Sequence, residues 1–111
     1  MSQEILSTSQ FDGYCFTAVK VRFAGSTNTR GSRWVASLYR GNDDITRTTL
    51  PYDHARAGGA ANARPAAEAC FVKARQTIDE PTNLDDWYVV PAELNADSYV
   101  FTFVPRYMVK S

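Results

Sequence analysis

Val19-Lys20-Val21-Arg22-Phe23-Ala24-Gly25-Ser26-Thr27-Asn28-Thr29-Arg30-Gly31-Ser32-Arg33-Trp34 is the stretch that decides the fold. Val19, Val21 and Phe23 alternate with Lys20 and Arg22, the period-two signature of a strand with one buried face. Gly25 to Ser32 is too long and too polar for a tight hairpin alone. Its hydroxyl and amide side chains can fold back onto nearby backbone, and Arg30 and Arg33 add planar donor forks. After it, Arg33 to Arg40 alternates again, with Trp34, Ala36 and Leu38 on one face. Two strands joined by a shaped, cationic loop therefore predict a sheet whose other face is polar.

Outward from this core, the first strand is expected over Tyr14 to Ala24. Gly41-Asn42-Asp43-Asp44 reads as a turn. Ile45 to Leu50 reads as a third strand ended by Pro51, which cannot donate into a ladder. Tyr52 to Gly59 is a glycine-containing connection. Asn62 is expected to cap a helix, with Pro65 in its first turn. The helix itself is read over Ala66 to Ile78, where Ala67, Cys70, Phe71, Ala74 and Ile78 recur at helical spacing. Asp79-Glu80-Pro81 closes it. Trp87 to Val90 and Tyr99 to Val104 read as the last two strands, linked by Ala92 to Ser98. The expected order is β-β-β-α-β-β: an α+β single domain, mainly antiparallel sheet, with one helix packed on one face. That domain is placed at residues 14–105, between a loose arm at 1–13 and a tail at 106–111. One helix cannot cover both faces, so Tyr39, Val100 and Val104 are expected on an open one.

The chain has 111 residues, 44% apolar and 22% charged, which is the balance of one ordinary globular domain. Formal net charge is zero, so there is no bulk drive toward nucleic acid or anionic membrane. The distribution is uneven. Gly13 to Thr48 holds six cations against two acids, while Asp79 to Asp97 holds six acids and no cation. That asymmetry points to a charged partner or to a self-complementary surface. Cys15 and Cys70 lack ligand-like spacing and sit among apolar residues, so both are expected to be reduced and buried. No signal peptide or membrane-spanning run is read, and the expected setting is the cytoplasm of a bacterial host.

The segment Lys20 to Arg33, then Leu50-Pro51-Tyr52-Asp53, an Ala-rich helix and Tyr99-Val100-Phe101-Thr102-Phe103 resemble a family of small plasmid and phage proteins. Its members carry a similar "TNTRGSR" loop, a "PYD" step and a terminal "YVF" strand. The resemblance spans Lys20 to Val104 in outline; the long amino-terminal arm and the insertion around Pro81 to Asp86 depart from it. It implies an origin in a mobile genetic element and carries no mechanism. Many small proteins of such elements bind and block host defence machinery, including CRISPR effectors.

The candidate chemistry is that of binding. Arg30 and Arg33, with Asn28 beside them, could grip phosphate; Lys20, Arg22 and Arg40 would extend that basic strip. Alternatively, the two loop arginines tie the loop to carbonyls or to an acid such as Asp53. In the acidic segment, Asp79, Glu80, Asp85 and Asp86 stand beside the expected exposed aromatics Trp87 and Tyr88. Spaced carboxylates and an aromatic anchor suit a basic protein surface that normally holds phosphates. His54, the single histidine, invites a Ser-His-Asp reading with Ser32 and Asp53, but no nucleophile elbow accompanies it. One histidine and two isolated cysteines make no zinc set, and Gly25 to Gly31 lacks a P-loop ending. The leading expectation is a non-enzymatic inhibitor of a host defence ribonucleoprotein such as a CRISPR effector, with no cofactor or metal. A nucleic-acid-binding accessory protein is the alternative, and a small hydrolase the second.

Overall fold

The computed structural model describes residues 16–28, 31–39, 45–55, 58–78, 80 and 82–108. The expected arm at 1–13, Tyr14, Cys15, Arg30, Arg40, the turn at 41–44, Asp79, Pro81 and the last three residues lie outside them. The strands are β1 (Thr17–Ala24), β2 (Arg33–Tyr39), β3 (Ile45–Pro51), β4 (Trp87–Asn95) and β5 (Ser98–Pro105), with helix α1 (Ala60–Gln76) between β3 and β4. They form a five-stranded antiparallel sheet in the order β3-β2-β1-β5-β4, with α1 on one face. The expected α+β architecture and element order are those observed.

Register follows from the alternation. Phe23 pairs with Trp34, Val21 with Ala36 and with Tyr99, and Val19 with Phe101. All of these project toward α1, which returns Ala63, Ala66, Ala67, Cys70, Phe71 and Ala74 into the same core. The Phe71 ring stacks on Phe103 at 4.0 Å and meets Trp87 edge-on at 4.9 Å. Small alanines let the helix approach the sheet closely, and the aromatics fill the remaining volume.

The helix begins six residues before the expected Ala66 and ends at Gln76. Gly59 is the residue before its first turn, at φ 73°, and its carbonyl accepts from the N–H groups of Asn62 and Ala63. Asn62 is therefore not the cap. It is buried, and its side chain serves the core instead: Oδ1 accepts from Trp34 Nε1 at 2.8 Å, and Nδ2 donates to the Asp53 carbonyl at 2.7 Å. A buried indole N–H without a partner costs more than a helix N-terminus left to water, so the amide satisfies the indole. Pro65 falls inside the helix rather than in its first turn, and the carbonyl it leaves without a donor belongs to exposed Ala61. Ile78 is 52% exposed, not a core residue. The Arg75 carbonyl accepts from both Ile78 and Glu80, which turns the chain off the helical path.

β4 runs past its expected end at Val90, through Pro91, to Asn95, with an irregularity between Glu93 and Asn95. Proline is tolerated because β4 is an edge strand, where a missing N–H faces outward. The link is a tight turn at Ala96 and Asp97, with Asp97 N–H bound to Asn95 Oδ1 at 2.9 Å.

Candidate functional site

The loop and the Pro51-Tyr52-Asp53 step, far apart in sequence, meet at one end of the sheet. Arg33 Nη1 donates to the carbonyls of Gly31 at 3.2 Å and Gly25 at 3.5 Å, bridging the two sides of the loop. Tyr52 N–H donates to the Ser32 carbonyl, and the Tyr52 ring stacks on Trp34. Asp53 closes its own turn by accepting from Ala55 N–H at 3.0 Å. Asn62 pins that turn to the helix. Of the two readings of Arg33, loop ordering is the one its contacts support. Asn28 is exposed on the loop.

The acidic segment is not one surface. Glu80 forms an ion pair with Arg75 at 2.7 Å. Asp85 and Asp86 sit on the 3-10 turn Leu84–Asp86, held by Asn83 Oδ1 on the Asp85 N–H. Glu93 lies about 20 Å along β4 from Trp87 at the ordinary strand rise, and Asp97 sits in the turn beyond the end of that strand. Trp87 and Tyr88 are half-buried rather than exposed, and as neighbours on a strand they point to opposite faces. Trp87 packs on Phe71 with the Arg75 guanidinium 4.9 Å from its ring. Tyr88 faces the other way, beneath Arg106 at 4.3 Å. Strand periodicity thus separates residues that adjacency in sequence had joined.

The open face brings other residues together. Across it, Arg47 pairs with Ser37, Ser37 with Lys20, Lys20 with Val100, and Val100 with Ala92. One row along, Thr49 pairs with Val35, Val35 with Arg22, and Arg22 with Ser98. Lys20, Arg22, Val35, Ser37, Tyr39 and Arg47 line a shallow hollow of about 200 Å³. Lys20 and Arg22 stand about 6.7 Å apart along β1, and Arg47 about 10 Å from Lys20 across two strand spacings. Among the described residues no ion pair engages any of the three. No carboxylate occupies an open-face strand position there; Glu93, opposite Tyr99, is on the helix side. Lys20 and Arg22 were legible as a strip from alternation alone. Arg47 was not, because only register shows which β3 residues share their face.

The remaining candidates are isolated. His54 is exposed on a turn, its ring 5.0 Å from that of Tyr52. Ser32 meets this turn through its backbone carbonyl. Cys70 is a buried free thiol whose pKa is pushed up by burial, which keeps it protonated and unreactive near neutrality. No group of three or more metal-ligating side chains occurs among the described residues, and no helix there is long and apolar enough to cross a membrane. No family model, no curated protein and no solved structure matches the chain.

Proposed function

We propose that this protein binds nucleic acid through the open face of its sheet, taking backbone phosphates on Lys20, Arg22 and Arg47. The observation that carries this reading is the hollow these cations share with Ser37 and Tyr39, free of open-face carboxylates among the described residues. Guanidinium forks match phosphate oxygens two at a time, and a local cluster of one sign attracts a polyanion even where total charge is zero. The rigid sheet fixes the spacing of the cations, so little order is lost on binding. With the mobile-element origin that the loop resemblance implies, the place of action is a host complex that handles nucleic acid.

A second reading has its own observation. Asp85 and Asp86 are adjacent and exposed, and no ion pair among the described residues engages them. They suit direct contact with a basic protein surface, as in an inhibitor of a host defence complex such as a CRISPR effector. Under that reading, Asp85→Lys with Asp86→Lys abolishes capture of such a complex and leaves nucleic-acid affinity unchanged.

The test of the first reading is a fluorescence anisotropy titration of labelled oligonucleotides over a salt series. Three phosphate contacts give a slope of log K against log salt of about −2 to −3. Replacing Lys20, Arg22 and Arg47 together by Gln flattens it. Absence of binding at low salt, or a slope indifferent to the triple substitution, overturns the proposal.

A further inference from the structure

The open face is divided between cationic positions on one half and largely apolar ones on the other. Cations occupy β1 and β3, with Ser37 of β2 between Lys20 and Arg47. Across the sheet centre the row of Lys20 continues into Val100 and Ala92, the row of Arg22 reaches Ser98, and on the other side of Lys20 the row of Ala18 continues into Thr102 and Val90. Val90 is 51% exposed. The next row pairs Val104 with Tyr88, over which the Arg106 guanidinium lies. Arg106 is itself exposed, and its Nε donates to the Asp85 carbonyl, which holds the planar group in place over the ring.

Resting on the nucleic-acid reading above, we infer that the ligand is single-stranded, with phosphates on the β1–β3 half and bases laid across the β5–β4 half. A duplex presents phosphates outward on both sides and keeps its base faces stacked inside, so it would set charge against Val90, Ala92 and Val100. An unpaired strand presents charge on one edge and flat π faces on the other, which is the division of this surface. The Arg106 plane over Tyr88 offers a stacking platform at the apolar end. Asp85 and Asp86 close to it disfavour phosphate at that corner, which fixes the strand's orientation across the sheet.

The experiment compares a short mixed-sequence oligonucleotide, the same sequence annealed to its complement, and poly-glutamate, each titrated against the intact protein. The expected result is that the single strand binds about tenfold tighter than the duplex. Arg106→Lys, which keeps the charge and removes the plane, lowers single-strand affinity about fivefold, the low end for loss of a base stack, without changing the salt slope. Val90→Thr, nearly isosteric and on the same half, lowers it in the same direction. Equal affinity for strand and duplex, with both variants silent, overturns this inference and leaves the nucleic-acid reading standing. Poly-glutamate binding as tightly as the oligonucleotide, or no binding by either nucleic acid, overturns both.

Discussion

The two faces of the sheet are written in alternate residues of the same strands, one position out of step. On the helix side Val19, Val21, Trp34, Ala36, Phe101 and Phe103 are buried to within a few per cent. On the other side their neighbours Lys20, Arg22, Val35, Ser37, Val100 and Thr102 remain exposed or half-exposed. The covered face is held by shape: ring stacking, alanine-mediated approach and one buried amide that answers an indole. Among the described residues the uncovered face has no such closure, and its strand positions carry Lys20, Arg22 and Arg47. Under the proposed function, stability and recognition fall to opposite faces of one sheet, so each should be changeable without the other.

Phe71→Ala attacks the covered face at its centre. It is expected to lower unfolding free energy by about 3–5 kcal/mol in a urea titration, because the stack on Phe103 and the edge contact with Trp87 both go. A loss below about 1 kcal/mol would break the assignment of the core. Asn62→Ala leaves the buried Trp34 indole N–H without its acceptor and removes the side-chain bond to the Asp53 carbonyl, an expected loss of about 2–3 kcal/mol by the same titration. Substitution by Asp, which keeps an acceptor for the indole, should recover part of it. Arg33→Ala removes two exposed hydrogen bonds to carbonyls at the loop, with about 1 kcal/mol expected from the thermal midpoint. If it instead abolishes oligonucleotide binding at unchanged stability, the loop joins the uncovered face as a phosphate contact. The smallest stability effect belongs to Lys20→Gln with Arg47→Gln, within about 0.5 kcal/mol of the parent, while the salt slope falls by about 1.4 for a single-stranded ligand. A large stability loss there would show that the two faces are not independent.

Alternation makes the strands legible in the sequence, since Val19-Lys20-Val21-Arg22-Phe23 and Tyr99-Val100-Phe101-Thr102-Phe103 each sort their residues by face. The helix start was not legible. Asn62 carries the side chain of a cap, and only the spatial neighbour Trp34, contributed by β2, gives its amide other employment. Pro91 similarly disguised the second half of β4 as a link, because proline is compatible with a strand only at an edge and edges are set by topology. At the candidate site, the acidic run and its two aromatics formed one feature in sequence and several separate ones in space. Arg47 came to the basic hollow through pairing with Ser37, a relation no single-strand pattern contains.

The sheet order has a kinetic side. β1 lies at the centre between β2 and β5, so the strand made first among the five completes its pairing with the strand made last. On the ribosome, β1, β2 and β3 can form their meander early, but β1 then keeps one edge of unpaired backbone groups until Ser98 to Pro105 emerge. Most of the chain must be searched before that closure is rewarded, which places folding among the slower, non-local topologies. During the interval the bare edge carries Val19 and Val21 without Phe101 and Tyr99 against them, a template for another nascent chain. Pro91 blunts the edge of the finished sheet; the central edge of the unfinished one is covered by the arrival of β5.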